Sequence, residues 1–472
     1  MADTAITLED RTLRRRVWGW MFFDWAQQPY ATLGLTFIFS PYFAAVAADM
    51  FMAQGMAEDV AKANAQATWS GAQTIAGLII AFTAPFLGAW AGATGRKMPW
   101  FYLFTVIAVI CSASLWYLMP DGTGLMFTLL MFWIGYIAAE SAFNLNNAIL
   151  PTLGDPEKVG RISGGATAFG YWGGVLALFL MLLLFAENDQ GVTLLGNPPP
   201  FGLDAEAREG TRLVGPFIAL WFAIFMIPYF MWVRDVRGAS VPRPKVKDVL
   251  DRLWTNVRAV FRRRSYASFL FASMFYRDAL TAVYSFGGIY ARLVLGWDLT
   301  MIGIFGIIAA IAAAILSWVG GMADQRLGPK PVIVFCCWML ILVSTIVVGM
   351  SRESLLGIPL AEGSIVPDVI FFVCGAIIGG AGGAMYSASR SMMVRHCTAE
   401  DAADAFGLFA LTGRATAFLA PALITLFTYW FSSNQLGFLP VIFLFLLGLI
   451  LLRWVQAEGD RAVWSETSSS SA

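Results

Sequence analysis

Charge is what this sequence has least of. Only 13% of its 472 residues are Asp, Glu, Lys or Arg, against 58% hydrophobic residues, and the mean hydropathy is +0.68. That leaves too little polar surface to cover a soluble globule, so a soluble protein is excluded. Histidine occurs once, as His396, which removes histidine-based metal chemistry. Of five cysteines, Cys111, Cys336, Cys337 and Cys374 lie in apolar runs and Cys397 in a loop. No C-x-x-C pair exists, so neither a disulfide framework nor a zinc site is indicated. There is no G-x-x-x-x-G-K-S/T phosphate loop and no polar segment large enough to hydrolyse nucleotide, so work driven by nucleotide hydrolysis is not indicated. Basic and acidic residues balance at 31 each, which gives no reason to expect nucleic acid as a partner. No cofactor or metal is expected.

Long apolar runs fill the space these absences leave. Crossing a hydrocarbon core of about 30 Å takes about 20 apolar residues. Twelve stretches qualify: 17–44, 72–92, 99–118, 125–149, 162–185, 214–233, 266–291, 301–322, 331–350, 366–389, 405–430 and 437–455. The expected fold class is an all-α polytopic membrane protein with twelve transmembrane helices. The first run follows Arg14, Arg15 and Arg16 as a secretory leader would. It is nearly twice a leader's length and holds Asp24, Gln27, Gln28 and Pro29, so it reads as a span.

An even number of spans puts both ends on one side of the membrane. That side holds Arg11, Arg14, Arg15, Arg16, Arg96, Lys97, Lys158, Arg161, Arg326, Lys330, Arg390, Arg395, Arg453, Arg461 and ten basic residues from Arg234 to Arg264. Opposite loops hold only Lys62, Arg208, Arg212, Arg292 and Arg352, beside acids such as Asp49, Glu58, Asp59 and Glu187. The positive-inside rule places both termini in the cytoplasm, and the expected location is a bacterial inner (cytoplasmic) membrane. The domain order expected is a cytoplasmic N-terminus (1–16), a six-helix bundle (17–233), a basic linker (234–264), a second six-helix bundle (265–456) and a cytoplasmic tail (457–472). Within the linker, Val246, Val249, Leu250, Leu253, Trp254, Val257 and Phe261 recur at helical spacing with basic residues on other faces. The pattern suits a helix lying on an anionic inner leaflet, or equally a solvated linker helix.

The halves echo each other. G-A-W-A-G-A-T-G-R-K-M-P (88–99) follows span two, and G-G-M-A-D-Q-R-L-G-P-K-P (320–331) follows span eight. Matching turns in corresponding places indicate a duplicated six-span unit, hence two pseudo-symmetric bundles of the kind secondary transporters use.

These turns resemble the loop of the major facilitator superfamily that reads roughly G-x-x-x-D-R-x-G-R-R/K. The second copy keeps the acid as Asp324 and is one residue longer before Gly328; the first has Gly92 and Ala93 at the acid-base pair and retains Arg96 and Lys97. A narrower resemblance rests on three separated blocks: F-D-W-A-Q-Q-P-Y; N-A-I-L-P-T-L with G-R-I-S-G-G-A-T-A-F-G-Y-W-G-G; and S-A-S-R-S-M-M-V-R with F-G-L-F-A-L-T-G-R-A-T-A-F-L-A-P. They are similar to the Atg22-like, or UMF1, branch of that superfamily. The resemblance implies the superfamily's fold and alternating access, with spans one and four lining a central cavity. Fungal vacuolar members of the branch are associated with amino-acid efflux, and most bacterial members have no assigned substrate. Span five has no G-P-x-x-G-G block, so exchange is not specifically indicated.

Charge within hydrocarbon costs about 2.5–3.5 kcal/mol on insertion scales, so such residues are expected to face a cavity or a partner. Asp24 lies about 10 Å and Glu140 about 13 Å from the cytoplasmic end, at a rise of about 1.5 Å per residue. Both acids are candidates for proton coupling, since moving a carboxyl between wet and dry surroundings changes its proton affinity. Tyr136, Glu140, Asn144 and Asn147 form a polar stripe on span four; with Gln27, Gln28 and Tyr30 of span one they are candidates for binding a small polar solute. The asparagines equally suit interhelical hydrogen bonding. In span seven, Arg277 and Asp278 point about 100° apart, so Arg277 is the candidate for a substrate carboxylate or Glu140 and Asp278 for a neighbouring helix; a structural ion pair is the alternative. Arg414 resembles the basic residue of the branch's G-R/K-A-S block and can pair with an acid or bind an anion.

Arg96, Lys97, Asp324, Arg326 and Arg390 are candidates for a cytoplasmic gate. An interface anchor at Arg390 and a helix cap at Asp324 are the plainer readings. Gly375, Gly379 and Gly383 in span ten, and Gly170 and Gly174 in span five, clear faces for close helix approach. The function expected is secondary active transport of a small polar solute, such as an amino acid, by a monomer in the bilayer, without enzymatic activity. The rivals are a polytopic membrane enzyme acting on lipid-linked substrates and a non-transporting sensor of the same fold; neither outer loop, 45–71 or 186–213, offers a recognisable catalytic constellation.

Overall fold

The computed structural model of the chain describes residues 2–188, 190–235, 245–297, 299–431, 433 and 435–460. Arg237, Arg243 and Arg461, counted above among the basic residues, lie outside the described residues. Among the described residues, ten helical runs are long and apolar enough to cross a membrane. The helix Arg264–Leu293 and the shorter apolar run Leu436–Leu452 occupy the places of spans seven and twelve. A two-stranded hairpin pairs Ser354 with Pro359 and Leu355 with Ile358.

Large apolar side chains point outward along these helices. Ile75, Leu78 and Phe82 in span two, and Phe335, Trp338 and Leu342 in span nine, are exposed at helical spacing, Phe82 by 76%. Such belts are costly in water and natural against lipid tails. The apolar runs thus do two jobs: one face packs on other helices and the other meets the bilayer.

Some helices outrun the hydropathy boundaries. Span two begins at Glu58, not 72, and forms one helix through Thr94, while span one continues to Ala53. The segment read as an outer loop, 45–71, is therefore mostly helix. Its alanine-rich D-V-A-K-A-N-A-Q-A has high helix propensity but low hydropathy. A Glu58–Lys62 ion pair of 2.5 Å, one turn apart, supports its start.

Two spans are interrupted, each beside a proline. In span one the α-helix Ala2–Pro29 passes into the wider π-helix Tyr30–Phe37 and resumes at Phe39. Pro29 has no N–H for the carbonyl of Trp25. The Trp221 indole N–H fills that vacancy, donating to Trp25 O at 3.1 Å. Span eleven, expected as one run over 405–430, is two helices, Ala402–Ala415 and Leu419–Phe431. Pro421 cannot donate to Ala417 and its ring crowds that carbonyl, which ends the first helix there. The second helix begins with orphan amides, and Ala420 N–H donates to the carboxylate of Asp278 at 3.1 Å.

By packing, the chain forms two compact units. The first comprises Met1–Thr83, Gly95–Asn146 and Phe169–Ala239; the second comprises Ala84–Thr94, Asn147–Ala168 and Ser240–Ala472. In the first, span six packs on spans one and three. In the second, span ten packs on spans eight and nine, and span twelve on spans seven and nine. Span ten is glycine-lined for this contact: a Cβ on Gly375 would lie 2.2 Å from the Phe305 ring and one on Gly379 2.0 Å from Ala309 O. The second unit also gathers the basic-loop ends of spans two, four and five, a grouping that matters for the site below.

His396, just beyond span ten in the second unit, is fully buried between aromatic rings. Its Nδ1 lies 3.0 Å from Met392 O and its Nε2 2.9 Å from Ser265 Oγ. Burial pushes its pKa down to about 4, so the folded protein holds it neutral where the unfolded chain would begin to protonate it. A group that binds fewer protons when folded gives stability that is lost as pH falls, here from about 6.5 towards about 4. The melting temperature of the purified protein is expected to drop across that window. His396→Gln should flatten that limb of the profile; an unchanged acid limb would show that other groups carry it.

Candidate functional site

Spans one and four set the first part of the site, within the first unit. Trp20 Nε1 donates to Asn146 O at 2.7 Å, Phe23 stacks on Phe143, and Tyr30 lies against Tyr136. These contacts ascend one helix as they descend the other, so the pair is antiparallel and its register is fixed. Asp24 therefore stands level with Ala142, within one helical turn of Glu140. The depth match expected from the sequence thus has a geometric basis.

The side chains around that level differ in access. Asp24 is buried and backed by span five, where a Cβ on Gly170 would lie 3.2 Å from its own Cβ. Gln27 and Gln28 are half-buried, and Gln28 faces Gly174. Tyr136, Glu140 and Asn144, one turn apart, are half-buried on one face of span four. Tyr30 is engaged in packing instead: its hydroxyl donates to Phe132 O at 2.5 Å, tying span one to span four.

The second unit holds the other membrane charges. Arg277 donates to Phe409 O at 3.0 Å and lies 4.3 Å over the Phe409 ring, in the space left by Gly413. Asp278, the adjacent residue, is buried at the start of the second half of span eleven. The two neighbours thus contact span eleven on opposite sides of its break. Arg414 stands in the last turn of the first half, where a cation suits the carbonyl end of the helix dipole.

A buried polar cluster lies at the end of the helices that carries the basic loops. Arg390, in span ten, is fully buried. It donates to Ser163 Oγ at 3.1 Å, Ser163 O at 2.8 Å, Thr167 Oγ1 at 2.5 Å and Asn147 Oδ1 at 3.3 Å. Ser163 in turn donates to Ser387 O at 2.8 Å. Asn147, the last residue of the helix Leu125–Asn147, is buried and accepts from Arg390. One turn before Ser163 in span five, Gly160 meets Asp324, and next to Ser163 Gly164 meets Gly321 backbone to backbone. A guanidinium presents a rigid planar fork of donors, which suits it to gathering acceptors from several helices at once.

A second tie lies nearby and was not singled out in the sequence. Arg252 of the linker helix Val246–Arg262 pairs with Asp404 at the start of span eleven, at 2.6 Å. Gly92, at the end of span two, gives this pair room: a Cβ there would lie 2.8 Å from Asp404 Oδ2. Of the remaining gate candidates, Arg96 and Arg326 are exposed. The backbone N–H of Lys97 donates to Asp235 at 2.9 Å, which caps span three. Asp404 heads an apolar run as an ordinary helix-cap acid does, and its partner lies 152 residues away, so no local pattern marks it.

The chain matches the family model described as vacuole effluxer Atg22 like over residues 12–462. It is similar to the uncharacterized MFS-type transporter YxiO of Bacillus subtilis, with 21% identity covering 93% of this chain and 94% of that protein. It is also similar to autophagy-related protein 22-1 of Sclerotinia sclerotiorum, with 24% identity over 56% of this chain; the match spans 44% of the fungal protein. Its fold is similar to that of the human organic anion transporter MFSD10, with a TM-score of 0.64, 15% identity and coverage of 93% and 99% of the two chains. The proton:xylose symporter XylE gives a TM-score of 0.66 at 11% identity, covering 96% and 98%. The twelve-span pattern, the three sequence blocks and these matches agree, and the chain belongs to the Atg22-like family of major facilitator superfamily transporters.

Proposed function

We propose that the protein is a secondary active transporter that carries a small polar solute, of the amino-acid class, across a bacterial cytoplasmic membrane by alternating access. Asp24 and Glu140 are its proton-coupling groups. The observation that carries this reading is the shared level of the two acids on adjacent antiparallel helices. Glu140 is flanked there by Tyr136 and Asn144, which can donate to and accept from a zwitterion. A carboxyl at that depth is costly in hydrocarbon, and exchanging a proton or meeting a solute is one way in which that cost is offset.

The positive-inside rule supports a cytoplasmic position for the gate cluster, which shares its end of the helices with the basic loops. In this reading Arg390, with Asn147, Ser163 and Thr167, holds that side shut, and Asp324 and the Arg252–Asp404 pair reinforce it. Release of these ties opens the cytoplasmic side. Gln27, Gln28, Arg277 and Arg414 are assigned to solute contact or to the moving helices, and Tyr30 and Asp278 to holding the two interrupted spans in place.

The test is flux. Purified protein in liposomes, offered a mixture of labelled amino acids, is expected to accumulate at least one of them when a pH gradient is imposed and only to equilibrate it without one. Equilibration unaffected by the gradient would leave facilitated diffusion and remove the coupling role. No flux of any amino acid would remove the solute class.

A further inference from the structure

The linker helix Val246–Arg262 presents three adjacent stripes, set by helical spacing of three and four residues. Val249, Leu253, Asn256 and Val260 form the first, which is turned into the protein, with Val249 and Val260 buried. Leu250, Trp254, Val257 and Phe261 form the next. It is apolar yet faces out: Leu250 is 51% exposed, Trp254 57% and Phe261 67%. Lys247, Arg258 and Arg262 form the third, all exposed, with Asp251 among them. Arg252 fixes the rotation of the helix through its pair with Asp404.

An outward apolar stripe flanked by cations has two possible neighbours, water or lipid, and the surroundings decide between them. Phe261 contacts Phe271, a ring centroid 6.1 Å away that is itself exposed on the flank of span seven. The stripe therefore runs on into a surface that faces hydrocarbon. The next basic residue, Arg264, lies over Trp454 at the end of span twelve. An arginine on a half-exposed tryptophan at a span's end is the arrangement of a headgroup layer. Arg258 stacks on Trp254 in the same way, at 4.9 Å.

We infer that this helix lies in the interface of the membrane leaflet on the basic-loop side, with Leu250, Trp254, Val257 and Phe261 among the acyl chains and Lys247, Arg258 and Arg262 on anionic phospholipid headgroups. Each cation near an anionic surface is drawn to it, and each buried apolar side chain adds to the hold. The inference rests on the chain spanning a bilayer and not on the solute it carries. Through Arg252 the lipid-bound helix grips the start of span eleven, so the composition of that leaflet bears on the gate.

Spin labels placed singly on the full-length protein test this, and the five native cysteines are buried, which leaves added ones selectively reactive. Trp254→Cys and Leu250→Cys report the apolar stripe, and Thr255→Cys reports the exposed polar side. In nanodiscs of phosphatidylcholine with phosphatidylglycerol, labels at 250 and 254 are expected to collide with oxygen several-fold more than with a nickel chelate, and the label at 255 to show the reverse. In phosphatidylcholine alone, or with Lys247, Arg258 and Arg262 all changed to Gln, nickel access at 250 and 254 is expected to rise several-fold. Equal nickel access at all three positions would show a solvated helix and overturn the inference. Protection at 250 and 254 that ignores both the lipid and the Gln changes would overturn the role of anionic headgroups.

Discussion

Replacing Arg390 by alanine is expected to destabilise the protein by about 3 kcal/mol and to unseal its basic-loop end. The size follows from what is stranded. Ser163, Thr167 and Asn147 lose a charged donor in a fully buried setting, and each buried polar atom left without its partner costs about 1–3 kcal/mol. Lysine would keep the charge but not the planar fork, so Arg390→Lys is expected to fall between wild type and alanine. Thermal unfolding measures the first effect. The second is read at Ser391→Cys, a buried position beside Arg390. A bulky membrane-impermeant thiol reagent should modify it several-fold faster when Arg390 is also alanine. Unchanged unfolding together with unchanged reactivity would mean that Arg390 closes nothing.

The second large effect is expected at the paired acids. Asp24→Asn and Glu140→Gln keep shape and hydrogen-bonding capacity while removing the exchangeable proton. Each is expected to reduce gradient-driven accumulation at least about tenfold, a cost of about 1.4 kcal/mol in the coupling. Solute exchange across liposomes at equal pH should survive, because it needs the binding site and the conformational change but no net proton. Tyr30→Phe is the control: it removes the hydroxyl that ties span one to Phe132 O and is expected to lower stability by about 1 kcal/mol while leaving coupling intact. Accumulation that persisted in both amide variants would move the coupling group elsewhere.

How much of this was visible in the chain depended on the range of the interaction. Membrane spans announce themselves because lipid imposes one rule on every residue of a run, and the twelve runs and the family blocks were legible for that reason. The level of Asp24 and Glu140 was also within reach, since helical rise converts sequence position into depth. Residues 58–71 were misjudged because alanine, lysine, asparagine and glutamine build a good helix without making it hydrophobic. The break in span eleven was readable in principle from Pro421, whose effect lies four residues upstream; hydropathy averaged over it. The Arg252–Asp404 tie and the acceptors of Arg390, Asn147 among them, were not legible. Each depends on which helices meet, and no periodicity within one helix encodes its neighbour.

The interruption of span eleven has a mechanical meaning. Turn hydrogen bonds span the break, from Ala417 N–H to Arg414 O and from Leu419 N–H to Thr416 O. Asp278 anchors the second segment to span seven, and Asp404 fastens the first to the linker. A continuous rod would transmit any tilt along its whole length, whereas a jointed one is expected to let Ala402–Ala415 tilt independently of Leu419–Phe431. A pull on the linker through Asp404 would then be spent on the first segment alone.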